Sequence, residues 1–321
     1  MNNKPLVGIL ESIHQDGINL LKKFSNVYLD TGKSKKEIFK NVKRYDVIFI
    51  KSNIKINKEF IENAENLKIV ARAGTGVDNI DLELLKKRKI KFFSTPNLNS
   101  KSVAELTIAL ILLLIKKLPD LDRAISNDDY RRHLFLSKDL SELKVGLVGV
   151  GNVGIEVARR LKPFGCKLYA YDKFSKKKQQ FKKLNGIFVN NFKKLLSNSD
   201  ILSFHVRLNE GNKNMFNSES LKHIKKGIFL INTSRAQVIE EKAVLLGLKK
   251  KLILGVGLDI LAPEMPYEIK RNQKYSHIFL KNKKIFITPH VGSMTESTQR
   301  KISFELIKNI TKYLKIKNFK K

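Results

Sequence analysis

Short apolar runs of strand character alternate with helical stretches along most of the chain, and this rhythm limits the fold more than any other feature. Segments 7–10, 47–50, 67–70 and 90–93 each read as a strand. Val47-Ile-Phe-Ile50 is apolar throughout, as expected of a strand buried on both faces in a parallel sheet. Between these runs, 16–24, 58–66 and 82–88 read as helices, with Ile18, Leu20, Leu21 and Phe24 at helical spacing. After a break at Thr95-Pro-Asn97, a long apolar helix is expected over 101–118, ended by Pro119 and followed by a polar, irregular arm over 120–139. A second strand series opens at Val145-Gly-Leu-Val-Gly149 and continues through 167–171, 186–189, 201–205, 227–232, 252–258 and 285–288. An amphipathic helix over 296–314 closes the chain, and the pattern leaves open which domain it packs on. Strands alternating with helices imply an α/β protein with parallel sheets.

A chain of 321 residues, 42% of them hydrophobic, can fill two ordinary cores. Its longest apolar stretch, 106–115, suits a buried helix and falls short of the ~18 residues a membrane span needs. The opening Met-Asn-Asn-Lys-Pro5 runs into a strand with no signal-peptide core, and Cys166 has no second cysteine to pair with. Both point to the cytoplasm, with Cys166 as a small packed side chain. The formal net charge of +33 invites a nucleic-acid reading. Its make-up argues against one. The excess is mostly lysine, scattered as pairs and triplets such as Lys176-Lys-Lys178 and Lys249-Lys-Lys251, with no zinc-finger spacing and no RNP-like aromatic motif. These are read as solvated surface lysines whose field attracts anionic substrates and cofactors.

Gly149-Val-Gly151-Asn152-Val153-Gly154 follows a strand and opens a helix expected over 153–161. The first glycine permits a tight turn, the second lets backbone approach a pyrophosphate, and the third lets helix and strand pack closely. Free N–H groups at the helix start then hold phosphate charge. The next strand ends at Asp172, near the roughly 20-residue spacing at which an acid meets the ribose hydroxyls. A carboxylate there repels a 2′-phosphate and favours NAD, a preference that Lys173 and Lys176 soften.

Three further segments carry polar groups past a strand's C-terminal end, where open α/β sheets bind ligands. They are Phe229-Leu-Ile-Asn-Thr-Ser-Arg235, Gly255-Val-Gly-Leu-Asp259-Ile-Leu-Ala-Pro-Glu264 and Ile285-Phe-Ile-Thr-Pro-His290-Val-Gly292. Oxidising a 2-hydroxy acid calls for such types. A histidine can take the hydroxyl proton as hydride leaves the carbon. A carboxylate beside it raises its pKa and orients the ring, and an arginine clamps the substrate carboxylate in a bidentate grip.

With these residues in this order, the chain resembles the D-2-hydroxyacid dehydrogenase family over essentially its whole length. The resemblance implies Arg235 as substrate clamp, Glu264 as partner of the histidine, and His290 as acid/base, with no metal. It implies NAD bound by Gly149, Gly151, Asn152, Val153, Gly154 and Asp172, with Thr75, Thr107, His205, Val206, Thr233, Ser234, Asp259 and Gly292 as further cofactor positions. It also implies a homodimer built through helix 101–118 and the following arm. The layout would be discontinuous: a Rossmann NAD-binding domain, 99–294, inserted into a flavodoxin-like substrate-binding domain made of 1–98 and 295–321, with catalysis in a cleft that closes. Two departures stand out. Ala236 replaces the glycine that usually follows the arginine, and Arg207 takes a position often held by proline.

Val70-Ala-Arg72-Ala73-Gly74-Thr75-Gly-Val-Asp78-Asn79-Ile-Asp81 is similar to the substrate loop of phosphoglycerate dehydrogenases, as is Thr95-Pro-Asn97-Leu-Asn99-Ser100. Ala73 and Gly74 would offer backbone N–H groups to a carboxylate. Arg72 would offer a planar fork to a phosphate, or else pair with Asp78 or Asp81, and Lys51 would add a point charge. Arg131 and Arg132 lie in the arm, as interface or surface residues or as contributions to a partner's site. D-3-phosphoglycerate oxidation, the entry to serine synthesis, is the expected reaction, in a short form without a regulatory domain. A glyoxylate or hydroxypyruvate reductase, an enzyme for sulfonated analogues, and an NAD-sensing corepressor of the same fold are the alternatives.

Overall fold

The computed structural model describes residues 4–174, 176–263 and 274–316. They form two compact units, residues 4–99 with 293–316 and residues 100–263 with 274–292.

In the first unit β1 (Leu6–Ile9), α1 (Gln15–Lys22), β2 (Asn26–Leu29), α2 (Lys35–Val42), β3 (Val47–Ile50), α3 (Lys58–Glu62), β4 (Ile69–Arg72), α4 (Leu82–Lys87) and β5 (Lys91–Ser94) follow one another. The strands are parallel in the order β2-β1-β3-β4-β5, the flavodoxin-like arrangement. Helix starts are fixed locally. His14 accepts from the Asp16 N–H, Ser34 and Glu37 form a capping box, and Asn57 and Asp81 cap α3 and α4. β4 runs two residues later than the pattern suggests, because parallel pairing sets Val47 beside Ile69 and carries Arg72 into the strand.

The second unit opens with α5 (Ser100–Ile115) and α6 (Leu118–Ile125). One helix ending at Pro119 was the expectation. Instead Lys117 turns the chain in the left-handed region, and Pro119 sits in the first turn of α6, where its missing N–H has no helical acceptor to lose. The expected irregular arm thus holds a helix to Ile125 and a 3-10 turn at Arg132–Phe135. β6 (Lys144–Val148), α7 (Asn152–Leu161), β7 (Lys167–Tyr171), α8 (Lys178–Lys182), β8 (Ile187–Phe188), α9 (Phe192–Asn198), β9 (Ile201–Phe204), β10 (Ile228–Asn232), α10 (Glu241–Lys249), β11 (Ile253–Leu258) and β12 (Ile285–Ile287) follow. All strand pairs are parallel in the order β12-β11-β10-β9-β6-β7-β8, the Rossmann arrangement extended by one strand. Apolar cores cover both faces, one built on α5 and α7 and the other on α9 and α10.

The last helix, α11 (Glu296–Tyr313), belongs to the first unit. Its Ile302, Leu306, Ile307 and Ile310 share a core with Val7, Ile9, Leu21 and Phe49. Gly17 admits Ser303, since a Cβ there would lie 2.6 Å from the serine Cβ. Among the described residues no helix is long and apolar enough to cross a membrane.

Candidate active site

The order of the seven-stranded sheet reverses between β6 and β9, and ligands bind such sheets at the C-terminal ends flanking that point. Gly149 leaves β6 at φ +94°, a conformation that favours glycine. A Cβ here would also lie 2.8 Å from both the His205 carbonyl oxygen and Val206 Cγ1, so the two loops at the reversal touch. A Cβ on Gly154 would lie 2.2 Å from the Gly149 oxygen, which accounts for the third glycine. Gly151 differs from both: nothing lies within 4 Å of its Cβ position. It is the N-cap of α7 and contributes no side-chain acceptor to the first-turn N–H groups. Asp172, past β7, accepts from the Val150 N–H at 2.8 Å and the Phe174 N–H at 2.9 Å. An open glycine flank, an uncapped helix start and a carboxylate fixed on the same turn fit a dinucleotide.

The neighbouring strands bring the other polar groups to this edge. His205, past β9, shares a 2.9 Å hydrogen bond with Ser203 Oγ through Nε2, and burial pushes its pKa down to about 3. Its imidazole is therefore neutral at physiological pH. At the end of β10, Asn232 builds an Asx turn that the sequence does not announce. Its Oδ1 accepts from Ser234 N and Oγ, and its Nδ2 donates to the Arg235 carbonyl at 2.8 Å. Arg235 is half-buried, and its Nη1 donates to the Ser234 carbonyl at 2.7 Å. Ala236 opens a 3-10 turn and is absent from the positive-φ residues, so its side chain is accommodated without left-handed strain. Thr233 and Thr107 of α5 share a hydrogen bond at 3.0 Å.

Past β11 and β12, Asp259 organises the histidine turn. Its carboxylate accepts from Thr288 Oγ1 at 2.6 Å and from the N–H groups of Val291 and Gly292 at 2.8 and 2.9 Å. Burial raises its pKa, while these bonds and the charge on nearby His290 act in the opposite direction. His290 donates its N–H to the carbonyls of Asp259 and Thr288 and is held at φ +55°. A histidine in the left-handed region, fixed on both sides, is typical of a side chain placed for function. The strand order puts Arg235, Asp259 and His290 past three adjacent strands. Glu264, expected beside them, lies outside the described residues.

The C-terminal edge of the five-stranded sheet carries a second polar group of residues. Lys51, past β3, and Arg72, at the end of β4, are 7% and 8% exposed, rare burial for cations. Glu11, which the sequence reading passed over, is buried at the end of β1 and accepts from the N–H groups of Lys51, Asn53 and Ile54. Asn79 closes the same loop by donating to the Lys51 and Ile54 carbonyls. Lys51 Nζ lies 3.7 Å from Met294 Sδ. Gly74, at φ +149°, lets the Arg72 side chain fold back over its backbone, since a Cβ would meet Nη1 at 1.7 Å. Ala73 donates to the Ile50 carbonyl and Gly74 to that of Arg72, so the two N–H groups expected to meet a substrate carboxylate are instead engaged within the chain. Of the two acids weighed as partners of Arg72, Asp81 caps α4. Thr75 Oγ1 donates to Asn99 Oδ1 at 3.1 Å.

Other positions are plainer. Arg207 is exposed, Arg131 forms an exposed ion pair with Asp129, and burial pushes the Cys166 thiol up to about 11. Among the described residues no group of three or more His, Cys, Asp or Glu side chains is placed to hold a metal ion.

Residues 108–292 match the profile of the D-isomer specific 2-hydroxyacid dehydrogenase, NAD binding domain. The hydroxypyruvate reductase of Thermotoga maritima is 33% identical over 285 residues, covering 88% of this chain and 89% of that protein. The D-3-phosphoglycerate dehydrogenase of Methanocaldococcus jannaschii is 29% identical over 307 residues, 96% of this chain, and the chain spans 57% of that relative's length. Among solved structures, the D-lactate dehydrogenase of Aquifex aeolicus, complexed with NAD and lactic acid, superposes with a TM-score of 0.84 at 25% identity, covering 97% of this chain and 95% of that one. The glycine turn, Asp172 and the polar ends of β9 to β12 lie within or beside that matched NAD binding domain, and the chain belongs to the D-isomer specific 2-hydroxyacid dehydrogenase family.

Proposed function

We propose that this protein interconverts a D-2-hydroxy acid and its 2-oxo acid, and that its preferred substrate carries a second anionic group, D-3-phosphoglycerate with 3-phosphohydroxypyruvate being the pair that fits best. When bound, NAD supplies the hydride acceptor. The His290 imidazole takes the hydroxyl proton in the oxidative direction and returns it in the reverse. Arg235 grips the C1 carboxylate and draws electron density from the reacting carbon–oxygen bond. Glu264 supports the charged form of His290, and Asp259 with the Thr288 turn fixes the ring's backbone. Thr107, Thr233, Ser234, His205 and Val206 line the cofactor's path, and Asp172 takes the ribose hydroxyls.

The observation that carries the phosphate preference is the pair of buried cations, Lys51 and Arg72, on adjacent strands of one sheet edge. A planar guanidinium fork and an ammonium brought to one sheet edge suit an anionic group such as a phosphate. A steady-state panel with NADH tests this. Phosphohydroxypyruvate should exceed hydroxypyruvate, glyoxylate and a sulfonated analogue in kcat/KM. The reading fails if an uncharged-tail substrate wins. Hydroxypyruvate reduction is the second reading, supported by the Thermotoga maritima reductase, whose length the chain matches nearly end to end.

Leu118, Ile125, Tyr130, Leu134 and Leu136 leave large apolar side chains exposed on α6 and the segment after it. A second copy covering them would give a homodimer. Sedimentation equilibrium should return twice the chain mass, and a monomer at micromolar concentration would reject it.

A further inference from the structure

Lys176-Lys-Lys178 reads in the sequence as one more solvated triplet, but its members are not equivalent. Lys176 and Lys178 are exposed, whereas Lys177 is half-buried and its ammonium donates to Asn152 Oδ1. Asn152 is the first residue of α7 and directly follows Gly151, the glycine with the open flank. The N-terminal end of a ten-residue helix already carries partial positive charge, so an ammonium drawn out of solvent and held there adds to that potential and favours an anion. The carboxylate nearest in sequence, Asp172, is engaged with the N–H groups of Val150 and Phe174. Lys177 is tied to Asn152 at the glycine turn, and that turn lies in the NAD binding domain, where the anion to be met is the cofactor's diphosphate.

We propose that Lys177 is a phosphate-binding cation of the cofactor site, positioned by Asn152 to neutralise the NAD diphosphate. It supplies in a side chain what the glycine turn lacks, a full positive charge, and it does so from a segment outside the GxGxxG motif. The assignment holds whichever hydroxy acid is the substrate.

Calorimetric or fluorescence titration tests it without turnover, using NADH, NADPH, ADP-ribose and adenosine on the full-length protein. Lys177→Met should weaken NADH and ADP-ribose alike, by about ten-fold, the loss of one charge-assisted contact. Adenosine should bind as before, and Lys177→Arg should recover most of the affinity. Added salt should weaken NADH binding more in the parent than in Lys177→Met, because one screened charge pair is gone. NADH and ADP-ribose affinities within two-fold of the parent would overturn the proposal. So would equal loss of adenosine binding, which would mark damage to the pocket. Loss confined to NADPH would move the ammonium to a 2′-phosphate and overturn the diphosphate assignment.

Discussion

The C-terminal strand edges of the two sheets are built from different materials. Along the seven-stranded sheet the polar groups are glycine backbone, hydroxyls, a carboxylate tied into the turn of His290, a neutral histidine and one half-buried cation, Arg235. Along the five-stranded sheet they are two buried cations, with a buried carboxylate bracing the loop of one. Backbone N–H groups survive any substitution that keeps the turn, so they suit a ligand that stays the same, the dinucleotide. Side-chain cations change with one codon and suit the part of the reaction that varies among relatives, the acid. On the proposed reading, Arg235 holds the carboxylate common to all 2-hydroxy acids while Lys51 and Arg72 answer the group that differs, so reaction type and substrate choice should be open to separate perturbation.

The largest expected effect lies at the seven-stranded edge. His290→Ala should lower kcat by about 10²- to 10⁴-fold, the usual worth of a general acid/base. Its NADH affinity, read by fluorescence titration, should stay within two- to three-fold. Loss of NADH binding with normal saturated turnover would reverse the assignment of that edge. At the other edge, Arg72→Ala should raise KM for phosphohydroxypyruvate by about 10- to 100-fold and leave glyoxylate nearly unchanged. Equal shifts on both substrates would erase the contrast between the edges. Asp172→Ala should relax the preference for NADH over NADPH by about ten-fold, seen in kcat/KM for the two cofactors. An unaltered ratio would assign selection to another group.

The smallest effect is on stability. The folded pKa of His205 is near 3, against an ordinary 6.5. Between those values the unfolded chain binds the proton and the folded chain does not, so stability falls as pH drops through that window. The loss is about 2 kcal/mol by about pH 5, and His205→Asn should flatten this part of the urea-unfolding profile. A slope unchanged by the substitution would mean that His205 is accessible to protons in the native state.

The sequence exposed the elements that are buried on both faces and hid those at the rim. β3 is apolar throughout and was located to the residue. β2 went unseen, because it is an edge strand whose Leu29 faces solvent. α2 presents mostly lysine and buries only Ile38 and Val42, though its Ser34–Glu37 capping box was a usable signal. At the site, motif residues such as Gly149 and His290 were legible because their chemistry or conformation demands a particular type. Glu11, Asn79 and Asn232 were not, since their role is to bond backbone far along the chain or around a turn, and a lone Glu or Asn carries no mark of that. Asp259 was legible in position but not in its work of fixing the histidine turn.

The packing of α11 has a consequence for how the molecule is made. Its apolar face completes the core shared by α1 and the first unit's strands, yet the chain delivers it only after every strand of the other unit. During synthesis the seven-stranded unit can close while the earlier-made sheet still lacks one wall. That sheet would then wait on the ribosome with Val7, Ile9 and Phe49 incompletely covered, an opening for chaperones or for aggregation that ends when the final helix emerges.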